Sequence, residues 1–225
     1  MPDPDATLVP TRLALQALAE HVLAAARHQA TGRIGLRPAP GGFATPAFPS
    51  AHGDRTVAVD GREVVVTDDR GERREPVTTL AAAAALAEIE PGAPADVYAP
   101  STPLEPDAPL AVDGAAAERI AAWFALGQGA LDALRAELGH LDPSDIQLWP
   151  EHFDLAFTAA EVNWGASPGD GSSERPYLYV GPWSPPEPDG GYWNAPFGAQ
   201  RTAAEVHDGD DASAFFAEGR GRLGL

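Results

Sequence analysis

The chain predicts an α+β fold, an antiparallel sheet packed against a long central helix and an N-terminal helix, with two related α-β halves as one arrangement. Three observations lead there. A helical stripe runs from Ala115 to Leu138. The stretch Trp149 to Trp183 is rich in short alternating segments. Between them and the N-terminus, an Asp60-Gly61 pair sits between apolar runs, the mark of a hairpin.

In chain order, residues 1–10 read as a disordered lead and 11–225 as one domain, with sub-halves 11–112 and 113–225. Thr11 is the N-cap candidate for a helix to about Gln29, with Leu15, Leu18, Val22 and Ala26 at helical spacing and Gly32 as its stop. A short strand follows at Ile34–Arg37. Val57–Val59 and Arg62–Thr67 form the hairpin, with Asp60-Gly61 as a type I′ turn. Asp68–Glu75 reads as a charged loop, and Thr79 caps an Ala-rich helix to Glu88. Pro91, Pro94, Pro100, Pro103, Pro106 and Pro109 make residues 90–112 an extended connector, with one short strand at Asp96–Ala99. On the long helix, Ile120, Trp123, Phe124, Leu131, Leu134 and Leu138 line one face, and Gly127 and Gly129 point to close packing. Strands are expected at Ile146–Trp149, Phe153–Thr158, Val162–Trp164 and Tyr177–Val180, then a short helix from Asp211 to Glu218.

Composition narrows the chemistry. The 225 residues contain no Cys, which removes disulfides, thiolate nucleophiles, zinc fingers and iron–sulfur clusters. All 15 basic residues are Arg, so lysine Schiff bases and the P-loop lysine are absent too. A formal charge of −18 repels phosphate backbones and anionic membranes, so neither nucleic acid nor membrane is an expected partner. No basic cluster exceeds the short Arg70–Arg74 patch. The acidic N-terminus and the apolar run broken by Arg12, Gln16 and Glu20 read as neither signal peptide nor span, which suggests the cytoplasm. An Ala-, Pro-, Gly- and Arg-rich, Lys-free chain suggests a GC-rich bacterial genome.

The candidate chemistry lies between Leu148 and Trp183. If the strand alternation runs through His152, then His152, Asp154 and Ala156 share one face and Phe153, Leu155 and Phe157 the other. An imidazole beside a carboxylate is a general-base arrangement, with Glu161 as a further acid/base. This gives His152, Asp154 and Glu161 as catalytic candidates. The competing reading is a solvated or hydrogen-bonded strand face. Trp164, Asp170, Tyr177, Tyr179 and Trp183 are the candidate binding residues, because aromatics with polar tips suit a pocket wall or an interface; they equally suit core packing. His152-x-Asp154 with a distant His207 matches the ligand pattern of facial-triad iron oxygenases and is a minor alternative. Asp208, Asp210 and Asp211 lack the calcium-loop pattern. No cofactor is expected. His21, His28, His52 and His140 read as surface or turn residues. The Pro182–Pro188 run reads as a stiff connector or a docking segment for another chain. The residues leave the oligomeric state open.

Three runs together, His152-Phe153-Asp154-Leu155-Ala156, Trp164-Gly165-Ala166-Ser167-Pro168-Gly169-Asp170 and Pro176-Tyr177-Leu178-Tyr179-Val180-Gly181-Pro182-Trp183, resemble the bacterial family catalogued as domain of unknown function 5996. Gly42-Phe43-Ala44-Thr45-Pro46 and the Asp60-Gly61 hairpin extend the resemblance over about Thr11 to Phe216. The chain carries His152 where some members have a small polar residue. The resemblance implies a common fold unit and no particular reaction. The expectation from the residues is a small-molecule-binding protein, with acid–base catalysis at His152, Asp154 and Glu161 as its enzymatic form and a structural or protein-interaction module as the alternative.

Overall fold

The computed structural model describes residues 6–188 and 190–225. It is α+β, with two antiparallel sheets and helices, and the chain divides into two compact units. The first comprises residues 1–122 and 148–153; the second comprises 123–147 and 154–225.

The first unit opens on a helix that runs without a break through Leu8–Leu18 (α1), a π-helical turn Ala19–Ala24, and Ala25–Thr31 (α2). Residues 8–10, expected in the lead, are its first turn. Residues 1–5 lie outside the described residues. Thr11 is therefore not the N-cap; it is buried within α1, where its hydroxyl accepts from the Asp113 N–H at 3.0 Å. Gly32 ends α2 with φ of 69°, a left-handed conformation that glycine adopts without a Cβ penalty.

Six strands follow: β1 (Arg37–Ala39), β2 (Gly42–Ala44), β3 (Phe48–Ser50), β4 (Gly53–Asp60), β5 (Glu63–Asp68) and β6 (Gly71–Pro76). The sheet order is β1-β2-β4-β5-β6, with β3 on β4. The hairpin stands, but its two central residues are Gly61 and Arg62, since Asp60 pairs with Glu63. Of the two, Gly61 has positive φ, 58°, and Arg62 does not. That is the pattern of a type II′ turn with Gly first, and it corrects the expected I′ turn over Asp60-Gly61. The charged segment after Asp68 is strand β6 and not a loop. Its Arg and Glu side chains face water on an edge strand, so the segment lacks the apolar alternation by which strands are recognised. Where a strand was expected at Asp96–Ala99, residues 95–97 form a turn and 98–99 are irregular.

Helix α3 (Leu80–Ala87) is capped by Thr79, whose hydroxyl accepts from the Ala82 N–H at 3.1 Å. Around it an ion network closes. Arg55 donates to Asp68 and Glu88, and Arg70 and Arg73 donate to the same two carboxylates. Hydrogen bonds from Arg70 and Arg55 outweigh burial and hold the Glu88 carboxyl at about 2. A hydrogen bond from Arg70, again against burial, holds Asp68 well below the carboxylate range.

Helix α4 (Gly114–Glu137) begins where expected, with the Asp113 carboxylate accepting from Ala116 N–H at 2.9 Å. The second sheet runs β11-β10-β9-β8-β7, from β7 (Gln147–Trp149), β8 (Asp154–Ala159), β9 (Val162–Ser167), β10 (Tyr177–Pro182) and β11 (Ala199–Thr202). Gly127 lets α4 lie close on this sheet: a Cβ there would stand 2.6 Å from Ala166 Cβ. Gly129 has no such neighbour, and nothing in the structure explains it. Helix α5 (Gly209–Leu223) closes the chain. Asp208 is its cap, accepting from the N–H groups of Asp210 and Asp211 at 3.0 Å each, which gives this acidic run a structural role.

The order of elements repeats. In each half a helical stretch precedes an antiparallel sheet, of six strands in the first and five in the second, and a helix follows it.

Because both Glu88 and Asp68 are held below their ordinary values in the folded state, the network stabilises fully above about pH 4.5 and is lost as pH falls toward 2. The urea midpoint, followed across that window, is expected to fall steeply in the native chain and less steeply in Glu88→Gln. Identical slopes would show that the network contributes nothing.

Candidate functional site

The second sheet has two unlike faces, fixed by register. Phe157, Trp164 and Val180 are directly opposite one another across β8, β9 and β10. They face the helices: Trp164 is fully buried, its ring edge-on to Phe216 of α5 at 6.3 Å. Trp164, expected in a binding wall, is thus a core residue. Tyr192 and Trp193 are buried as well, with the Tyr192 hydroxyl donating to the Phe215 carbonyl at 2.9 Å.

The other face carries Asp154, Ala156 and Thr158 on β8, Asn163, Gly165 and Ser167 on β9, and Tyr177, Tyr179 and Gly181 on β10. Tyr179 is opposite Gly165, which is opposite Ala156. The Tyr179 ring lies over β9 and its hydroxyl donates to Asp154 Oδ2 at 2.5 Å. Only glycine permits this crossing, because a Cβ at Gly165 would fall 2.4 Å from the ring. Beside it, the Tyr177 hydroxyl donates to Asp170 Oδ2 at 2.5 Å. Asp170 also accepts from the N–H groups of Ser172 and Ser173 and from the Ser172 hydroxyl. Phe197 packs against both tyrosines, at 6.5 and 6.3 Å between ring centroids.

Burial first, then the neighbouring carboxylates, raise both tyrosine hydroxyls well above their ordinary value. Burial pulls Asp170 upward, but the bonds from Tyr177, Ser172 and Ser173 outweigh it and hold Asp170 below the usual value. The chemistry available is therefore hydrogen-bond donation and acceptance by fixed groups. Neither tyrosine ionises to a nucleophile near neutral pH.

At the far end of the same face, Trp183 is 64% exposed. Its backbone N–H donates to the Glu161 carbonyl at 2.9 Å, and its indole N–H points to Asn163 Oδ1 at 3.4 Å. Thr158 donates to the same oxygen at 2.8 Å.

The sequence reading joined His152 to Asp154 by strand alternation. The backbone breaks that alternation: Phe153 has φ of 51°, and β8 starts at Asp154. His152 lies exposed in the preceding turn, outside the strand. Glu161 is likewise exposed in the β8–β9 turn, where Ala160 and Glu161 both have positive φ, 50° and 60°. Along β8 the turn is about 17 Å from Asp154 at strand spacing. The structure brings together Asp154, Asp170, Tyr177 and Tyr179, puts Trp183 at the rim, and leaves Glu161 away from Asp154. His207 is an exposed residue whose Nδ1 lies 2.9 Å from Asp211. Among the described residues no three His, Cys, Asp or Glu side chains group as a metal site.

Sequence reasoning missed the buried polar line Arg12, Gln16, Glu20 and the adjoining His21, all buried in the first unit. His21 in particular is not a surface residue: its Nδ1 accepts from the Ala93 N–H at 3.0 Å and its Nε2 faces the Thr102 carbonyl at 3.1 Å. The signal was present as polar residues every fourth position in an apolar helix.

No family model, no curated protein and no solved structure matches the chain.

Two tests follow from this geometry. Gly165→Ala is expected to displace the Tyr179 ring and destabilise by about 1–3 kcal/mol, the usual range for overpacking; Tyr179→Phe keeps the packing and is expected to lose less. Urea unfolding separates them, and a neutral Gly165→Ala would refute the crossing. Ala160→Asn with Glu161→Gly supplies residues that tolerate the positive φ angles of this turn, and a gain on the order of 1 kcal/mol is expected in the same assay.

Proposed function

We propose that the chain is a small-molecule-binding protein whose ligand lies on the polar face of the second sheet, between the exposed Trp183 and the tyrosine–carboxylate pairs. One observation carries this reading. A Trp left 64% exposed stands at the rim of a face whose inner groups are fixed hydrogen-bonding side chains. Exposed aromatic surface beside preorganised polar groups is how proteins hold small ligands: the ring supplies contact area, the polar groups orientation. Trp183 would stack on the ligand, and Asn163 and Thr158 would bond it. Asp154 and Asp170 hold Tyr179 and Tyr177 in place.

The acid–base form of this reading draws less support. His152 and Glu161 occupy exposed turns, and the tyrosines keep their protons. The single hydroxyl proton of each tyrosine is already donated, to Asp154 and Asp170. A protein-interaction role rests on the same exposed indole, and the size of what binds separates the two. The reading keeps the chain within the family that its Trp164–Asp170 and Pro176–Trp183 runs resemble. We infer a cytoplasmic location, with which the Cys-free composition is compatible. No described helix is long and apolar enough to cross a membrane.

Native mass spectrometry of the full chain, after incubation with a bacterial metabolite extract, tests the proposal. A small-molecule adduct is expected, lost or reduced about tenfold in Trp183→Ala, the effect of removing about 1.4 kcal/mol of contact. No adduct, or one unchanged in Trp183→Ala, would overturn it.

A further inference from the structure

The Pro-rich connector has no ladder to hold it, so its course depends on single side chains that meet its backbone. His21 is the side chain that meets its near end. It lies in the π-helical turn and is 1% exposed. The Ala93 N–H donates to its Nδ1 at 3.0 Å. A backbone N–H can only donate, so Nδ1 carries a lone pair and the proton of the neutral ring is on Nε2. Nε2 then donates to the Thr102 carbonyl at 3.1 Å. One imidazole thus joins residues 93 and 102 to the helix, and does so in a single protonation state.

A second proton, on Nδ1, turns that acceptor into a donor. Two N–H groups then face each other, and the Ala93 N–H loses its partner. The bond to Thr102 survives, because Nε2 donates in both states. The bond from the Gly92 N–H to the His21 carbonyl, at 2.9 Å, joins backbone groups that do not titrate. The loss therefore begins at Ala93, with Gly92 held on one side and Thr102 on the other.

The surroundings can accept the added charge. The Thr102 hydroxyl touches both the Glu20 carboxylate and Nε2, the latter at 3.2 Å, so a carboxylate stands one hydroxyl away from the ring. Elsewhere on the helix, Arg27 is bound to the Gly35 carbonyl. His28 Nε2 lies 3.8 Å from Asp96, whose side chain is 75% exposed, and an ion pair so exposed opposes release only weakly. From the connector, Glu90 is exposed, and burial first keeps the Tyr98 hydroxyl protonated. Glu151 meets the connector through its carbonyl, which accepts from the Ser101 hydroxyl. Helix α3, packed on the same turn, has no titratable side chain.

We propose that His21 is an acid-sensitive latch on the connector. Neutral, it holds Ala93; protonated, it releases the chain from Ala93 toward Thr102, with Gly92 as the pivot. Imidazole ordinarily changes charge between about pH 5 and 8. That is above the range in which the Asp68–Glu88 network is lost, so the two responses separate.

The test is amide hydrogen exchange of the isotope-labelled full chain from about pH 8 to about pH 5, expressed as protection relative to an unstructured peptide at each pH. Protection at Ala93 is expected to fall about tenfold on acidification, the effect of one lost hydrogen bond, while Gly92 and Thr102 keep theirs. His21→Asn supplies an acceptor oxygen that does not titrate and is expected to hold Ala93 constant. His28→Gln is expected to leave the fall in place. Should His21→Asn fail to fold, the ring nitrogen shifts of His21 in the native chain decide, since Nδ1 must gain its proton over the range in which Ala93 loses protection. Constant protection at Ala93, an equal fall at Gly92 and Thr102, a fall that persists in His21→Asn or vanishes in His28→Gln, or an Nδ1 that stays bare would each overturn the proposal.

Discussion

A carboxylate removed from water must be met by donors, and the chain around Glu20, Asp68 and Asp154 is arranged to meet that demand. The three are 0%, 7% and 7% exposed. Glu20 and Asp154 draw donors from segments far off in sequence, and Asp68 draws them from its own sheet. Glu20 takes the N–H groups of Ser101 and Thr102, and so fixes the far end of a Pro-rich connector that has no ladder of its own. His21 fixes the near end through Gly92 and Ala93. Asp68 gathers Arg55, Arg70 and Arg73 and ties β4, β5 and β6 to the end of α3. Asp154 takes the Tyr179 hydroxyl across a whole strand. With no Lys in the chain, every charged donor to a carboxylate is Arg or a protonated His, and Arg's planar fork suits the shared geometry at Asp68.

The same demand explains which parts of the fold were legible in the sequence. Long apolar-periodic helices were, because their stripes are local: Ala115–Leu138 predicted α4 to within a residue at either end. Strands β8, β9 and β10 were visible through alternating aromatic and β-branched residues. What failed were elements whose residues answer to distant partners. β6 reads as a charged loop because its two arginines, Arg73 and Arg74, serve Asp68, Glu88, Asp60 and Glu63 rather than an apolar core. Arg12, Gln16 and Glu20 read as interruptions of an apolar run because nothing local shows that donors and acceptors lie at 98–102 and at 151.

The candidate site was half legible for a related reason. Period-two alternation correctly put Tyr177 and Tyr179 together, and they are neighbours at 6.2 Å between ring centroids. The same rule failed at His152, because it assumes an extended backbone and Phe153 is left-handed. A single residue at positive φ resets the face of everything before it. Phe153 is nearly fully buried and edge-on to Phe43 at 5.2 Å, so the strained conformation is held by packing within the first unit. Nearby, Leu148 exchanges both backbone hydrogen bonds with Leu36, at 2.8 and 2.9 Å. The segment 148–153 thus answers to the first unit while the strand that follows it answers to the second.

That division bears on what the tyrosine face can do. Its geometry is set almost wholly by β8, β9 and β10, whose register puts Gly165 beneath the Tyr179 ring. The ring needs a flat strand to cross, and a carboxylate two residues beyond Ala156 to end on. Any side chain at 165 breaks the first condition, and any neutral apolar residue at 154 breaks the second. Tyr177 meets its own carboxylate differently, through the turn that Asp170 closes on Ser172 and Ser173. The two tyrosines are therefore held by independent devices, one in the sheet and one in a loop. Loss of either leaves the other's hydroxyl in place, and that separates the contribution of each to binding without unfolding the face they share.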